Sequence, residues 1–115
     1  MEQLNRIELR GNVGSIKVQV YNGRKVAKLT VATNYAYRGA EGEPVIETTW
    51  HNVSAWEGRD ICSMDRLQKG SKVYVTGRIK TQKYTDGEGR DRYFYDVIAS
   101  RIVLLDNETQ FQYEM

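Results

Sequence analysis

The stretch at residues 69–97, KGSKVYVTGRIKTQKYTDGEGRDRYFYDV, decides how this chain is read. From Lys72 to Tyr84 it alternates with period two. Val73, Val75, Gly77, Ile79 and Thr81 fall on one face, and Lys72, Tyr74, Thr76, Arg78, Lys80, Gln82 and Tyr84 on the other. Successive side chains of a strand point to opposite faces, so this strand has one apolar side and one basic, tyrosine-bearing side. Thr85-Asp86-Gly87-Glu88-Gly89 supplies turn residues, and Arg90 to Val97 returns as a second strand rich in aromatic and basic residues. The pattern predicts a hairpin with one arm suited to lie along a phosphate backbone.

Working outward, residues 4–14 alternate Ile7, Leu9, Gly11 and Val13 against Arg6, Glu8, Arg10 and Asn12, a half-buried strand in which Gly11 suggests a bend or bulge. Ile16, Val18 and Val20 carry the pattern to Asn22-Gly23, a strong hairpin signal. Residues 25–34 return with Ala27, Leu29 and Val31 on one face, and residues 35–45 read as a loop of turn formers and mixed charge. Residues 46–56 form a third strand. In residues 57–67, Ile61, Met64 and Leu67 lie at helical spacing and predict one short helix. Residues 99–105 are apolar enough to close the sheet, and 106–115 read as a loose tail. Five strands with a helix between the third and fourth predict a mainly β, five-stranded OB-type barrel, an architecture that binds oligonucleotides or oligosaccharides on one open face. The domain is expected over residues 1–105.

A chain of 115 residues suits one domain. No run of about 18 apolar residues predicts a membrane span, and the start MEQLNRIEL lacks the features of a secretory signal. The single cysteine, Cys62, fits a reducing cytoplasm. The net charge of +2 is too small to argue from, but its distribution is uneven. Residues 66–92 hold eight Lys/Arg against three acids, whereas the last ten residues hold three acids and no base. An ordinary solvated face would show the same basic excess, so the aromatic residues have to decide.

Trp50 and Trp56 share one strand face with the small polar residues Asn52 and Ser54, and His51, Val53 and Ala55 share the other. Six residues at about 3.3 Å each separate the indoles by about 20 Å. A protein interface would also enrich tryptophan. Base stacking accounts for the cationic hairpin as well, because every base has a π-face and stacking reads no sequence. Tyr37 and Tyr84 stand beside Arg38 and Lys83. Together these make the interleaved aromatic and cationic pattern that a single strand requires. Tyr93, Phe94 and Tyr95 are divided between core and rim and are not assigned to ligand. Arg38, Lys72, Arg78, Lys80, Lys83, Arg90 and Arg92 are the candidate phosphate partners, with Arg78 and Lys80 foremost because they share the face of Tyr84.

His51 is the only histidine, and without companions at ligand spacing it predicts a packed or subunit-contact residue rather than a metal site. Neither cofactor nor metal is expected. Enzymatic activity is not expected either: Asp86, Glu88 and Asp91 belong to a hairpin rim, a poor place to hold acid–base geometry. Gly87 and Gly89 precede no helix, so they do not form a phosphate loop.

NRIELRGNVG at 5–14, VAKLTVAT at 26–33, TTWHNVSAW at 48–56 and LQKGSKVYVTGRIKTQKYTDGEGRDRY at 67–93 resemble, in order, the bacterial single-stranded-DNA-binding protein family. The resemblance implies an OB fold, a homotetramer (a dimer being the alternative) and wrapping of single-stranded DNA without sequence preference, in replication, recombination or repair. It implies stacking at Tyr37, Trp50, Trp56 and Tyr84, with Tyr where Trp is usual at 37 and 84 and Trp where Phe is usual at 56. It also implies that His51 lies near a subunit contact. The family's long linker and acidic tip, which dock replication and repair enzymes, have no counterpart in NETQFQYEM. An accessory, primosomal-type OB protein, or an interaction module using the aromatic face, is the alternative.

Overall fold

A computed structural model describes residues 2–105. The tail expected at 106–115 lies outside the described residues. Five strands, β1 (Ile7–Tyr21), β2 (Arg24–Arg38), β3 (Pro44–Trp56), β4 (Lys72–Thr85) and β5 (Asp91–Leu104), close a barrel in the order β1-β2-β3-β5-β4. All neighbours run antiparallel except β3 and β5, whose parallel pairing is confined to Val53 with Val97 and Ser54 with Ile98. Val13, Val31, Val53, Val73, Val75 and Ile102 fill the interior and are almost completely shielded from solvent. Each such side chain contributes about 1.5–3 kcal/mol over its exposed state.

β1 serves two neighbours. Residues 7–12 pair with β4, and residues 12–21 pair with β2. The change of partner is made by a bulge between Val13 and Ser15, where Gly14 is the extra residue. The bulge frees the Ser15 N–H, which donates to Thr30 Oγ1 at 3.0 Å. Gly11, expected to mark the bend, instead admits the Ala32 carbonyl where a side chain would overlap it. The bulge re-phases the strand, so the face that carries Leu9, Gly11 and Val13 continues through Ile16, Val18 and Val20, of which Ile16 packs against the core and Val18 and Val20 are exposed. Asn22 and Gly23, at φ 51° and 78°, form the two-residue turn that the Asn-Gly signal predicts.

Two expectations change in extent. The loop read over 35–45 shrinks to five residues, because β2 and β3 stay paired out to Arg38 and Pro44. This arm is exposed along nearly all of its outer length, and its pairing comes from register inherited from the barrel. The short helix is one 3-10 turn, Met64–Arg66, rather than a span across 57–67. Its upstream backbone is taken by β5: the Cys62 N–H donates to the Ile102 carbonyl, and the Ile102 N–H donates to the Asp60 carbonyl, each at 3.0 Å. Peptide groups bonded to a strand cannot close helical turns. Met64 and Leu67 are nonetheless buried, and Ile61 packs against the core.

Candidate nucleic-acid interface

Parity along β3 separates two rows. Val53 and Ala55 point inward and are buried, while Trp50, Asn52, Ser54 and Trp56 form the outer row. Both indoles are open to solvent, Trp50 at 60% and Trp56 at 41% relative exposure. Trp50 stands opposite Ala32 in the β2–β3 register, a small neighbour that leaves its ring uncovered. Trp56 stands opposite Val26, three residues past the turn of the first hairpin. The ring of Tyr21 meets it edge-on at 6.5 Å, and the Arg24 guanidinium lies 5.2 Å from its centroid. The end of β3 is pinned there by Glu57, whose N–H donates to the Lys25 carbonyl and whose Oε1 accepts the Lys25 N–H at 3.0 Å.

The β4–β5 hairpin continues this wall. Arg78, Lys80, Gln82 and Tyr84 form its outer row, opposite Ile98, Asp96, Phe94 and Arg92. Tyr84 and Phe94 meet with centroids 6.0 Å apart and planes tilted by 59°, so an aromatic pair caps the arm. The tip is organised by Asp86, whose carboxylate accepts the N–H groups of Glu88 and Arg90 and the Nε–H of Arg92. The Arg92 bond, with help from the Arg90 amide, holds the Asp86 carboxyl below its ordinary pKa.

A groove of about 520 Å³ runs between these elements, with Tyr21, Lys28, Ser54, Trp56, Lys80 and Asp96 among its lining. Trp56 and Lys80, read from separate stretches of sequence, therefore share one depression. The cations divide into two sets. Lys83 pairs with Asp91 at 3.3 Å, Arg90 with Glu88 at 3.7 Å and Arg92 with Asp86 at 2.8 Å. Arg38, Lys72, Arg78 and Lys80 have no carboxylate within 4.0 Å among the described residues. Exposed pairs are weak, so the first set can still exchange partners, but the second has nothing to give up.

Not every candidate joins the groove. Tyr37 lies on the exposed β2–β3 arm at the parity opposite to Trp50, stacked against Tyr35 with centroids 6.0 Å apart. Lys72 sits where β4 meets Asn12 of β1, at the other end of β4 from Tyr84. His51 has the parity of the inward Val53 and is half-buried; its Nε2 hydrogen-bonds Thr33 Oγ1 at 2.9 Å, and burial lowers its pKa. It lines a second, mainly apolar groove with Ile7, Trp50, Ile79 and Tyr95. Cys62 is half-buried and desolvation raises its thiol pKa, so it is a packing group rather than an activated thiolate. Among the described residues no three His, Cys, Asp or Glu side chains gather as a metal site, and no helix is long and apolar enough to cross a membrane.

The sequence reading left out Tyr21, Arg24, Lys28 and Asp96, and placed Phe94 between core and rim without assigning it to ligand. Alternation put Lys28 on the outer face, and Phe94 alternates with Arg92, so both carried a local signal. Asp96 carried none, because its neighbours are on β3 and β4.

A closed five-stranded barrel whose outer wall carries aromatic rings and lysines has the architecture of an oligonucleotide-binding OB fold. The single-strand binding protein family model matches residues 4–105. The chain belongs to that family. It is 31% identical over 109 residues to a single-stranded DNA-binding protein of Neisseria meningitidis, a match that covers 93% of this chain and 63% of the relative. The chain thus spans less than two-thirds of that relative's length. Among solved structures, the Plasmodium falciparum SSB complex with ssDNA superposes with a TM-score of 0.77 at 29% identity, covering 92% of this chain and 98% of that one. A deletion mutant of the Thermus aquaticus single-stranded DNA binding protein superposes at 0.73 with 23% identity, over 90% and 51% of the two chains, a likeness of fold.

Proposed function

We propose that this protein is a non-enzymatic binder of single-stranded DNA, which it covers and protects during replication, recombination or repair. The observation that carries the reading is the pair of solvent-open indoles on β3, one of them beside a groove lined by Lys28 and Lys80. Bases stack on Trp50, Trp56 and Tyr84, each stack contributing about 1–3 kcal/mol without reading sequence. Tyr37 supplies a further ring on the β2–β3 arm. Phosphates pair with Arg78 and Lys80 first and with Arg38, Lys72, Lys83, Arg90 and Arg92 along the arms. That the Plasmodium falciparum relative was solved with single-stranded DNA supports the same ligand here.

The same reading takes the protein to be cytoplasmic and a homotetramer, with Ile7, His51, Ile79 and Tyr95, on the side of their apolar groove away from the Trp50 ring that stacks bases, suited to a subunit contact. Titration with oligo-dT while following tryptophan emission tests the ligand. Strong quenching is expected, and unchanged emission at saturating strand would refute it. Light scattering with and without the strand tests the subunit count.

A further inference from the structure

Asp96 is the one charged side chain buried among the described residues, at 8% exposure, and it lies on the outer wall rather than in the barrel core. Ser54 Oγ donates to its Oδ2 at 2.9 Å. Among the described residues no Lys or Arg nitrogen comes within 4.0 Å of it, although Lys28 and Lys80 line the same groove. Its other oxygen, Oδ1, has no hydrogen-bond partner among the described residues and is not sealed from solvent, so it can accept from a ligand in the groove, and a negative charge beside a polyanion's path opposes binding. No phosphate can satisfy it. The edge of a nucleobase can.

We propose that the Ser54–Asp96 pair reads the base stacked on Trp56, favouring bases that present an amino group. Ser54 is two residues from Trp56 on the same strand face, about 6.6 Å along the chain, so the edge of a base lying on the indole reaches the Asp96 carboxylate. An ionised carboxylate only accepts hydrogen bonds. The exocyclic amino group of cytosine donates, whereas uracil and thymine place at that position a carbonyl oxygen that the carboxylate repels, and keep only the ring N3–H, set back from the edge, as a donor. The inference rests on the single-stranded DNA reading and qualifies its sequence tolerance at one position: stacking and phosphate pairing set most of the affinity, and Asp96 adds a bias.

Oligo-dC and oligo-dU of equal length separate the outcomes, since the two bases differ in the amino group and at ring N3 and not in a methyl group. The wild-type protein is expected to bind oligo-dC about fivefold or more tightly, the low end for one well-made base contact. In Asp96→Asn the ratio is expected to fall to about one, because an amide both donates and accepts. Equal affinities in the wild type, or a ratio that survives Asp96→Asn, would overturn the inference while leaving single-stranded DNA binding intact. An equal gain for both strands in the variant, without a wild-type preference, would mark Asp96 as a source of repulsion only. Failure to bind either strand would remove both readings. Should Asp96→Asn misfold, NMR on the wild type decides instead. The Asp96 carboxylate carbon resonance is expected to shift with oligo-dC and not with oligo-dU, and equal shifts would overturn the inference.

Discussion

The indole of Trp50 occupies the space that a side chain at Gly14 would fill: a methyl group built there overlaps Cζ3 and comes within 3.0 Å of Cη2. One glycine thus performs two tasks. It is the extra residue of the bulge that turns β1 from β2 towards β4, and it seats one edge of an aromatic ring while the ring stays open to solvent. The barrel corner and the stacking wall are built on the same backbone position.

Gly14→Ala is therefore expected to push Trp50 off its seat without emptying the core. Binding of oligo-dT should weaken by about 1 kcal/mol, the low end for one base stack, and tryptophan emission of the free protein should shift. Unchanged emission together with unchanged affinity would show that the indole accommodates the methyl group at no cost.

Trp56→Ala and Ile102→Ala should separate surface from interior. Trp56 is partly exposed, so its loss is expected to weaken strand binding by about 1–3 kcal/mol and to preserve the circular-dichroism spectrum. Ile102 is 2% exposed, and its truncation should reduce unfolding stability by about 2–5 kcal/mol with little change in affinity per folded molecule. A collapsed spectrum for Trp56→Ala would place that ring in the structural core.

Phosphate pairing should be visible in salt dependence. If one subunit neutralises about five phosphates, the logarithm of affinity falls against the logarithm of salt with a slope of roughly −3 to −4, from about −0.7 per phosphate on a single strand. Lys80→Ala, which removes a groove cation that has no carboxylate partner among the described residues, should flatten the slope by about 0.7. A slope near zero in the wild type would contradict the basic wall.

Acid should loosen the tip of the β4–β5 hairpin before the barrel. The Asp86 carboxyl is held below its ordinary pKa by Arg92 and by the Arg90 amide. A depressed carboxylate contributes stability that is fully present above its unfolded pKa, about 3.9, and is lost as pH falls through the folded one. Amide exchange at Glu88 and Arg90 should therefore rise selectively in that acidic window, and Asp86→Ala, which removes the acceptor oxygen, should show the fast exchange already at neutral pH. Protection in Asp86→Ala equal to wild type would mean that the turn holds without the carboxylate.

Much of this protein is written in period-two alternation, which is local. The buried row of Val73 and Val75, the paired faces of β3 and the Asn22-Gly23 turn all follow from neighbours within a few residues, because a strand sends successive side chains to opposite sides whatever lies beyond. Even the bulge left a trace, in the switch of apolar positions from 9, 11 and 13 to 16, 18 and 20. That trace points to Gly14, whereas Gly11 drew the reading as the glycine inside the alternation.

Tertiary structure decided whatever depends on a partner distant in sequence. The peptide groups around Ile61 abandon a helix because Ile102 offers them bonds. Residues 35–38 become strand because residues 44–47 run beside them in register. Trp56 comes to share a groove with Lys80, and Ser54 with Asp96, because β3 and β5 touch in parallel at two positions and then separate. Alternation states which way a side chain points, but only barrel closure brings strands from distant parts of the chain together, and with them the rings, lysines and carboxylate of one wall.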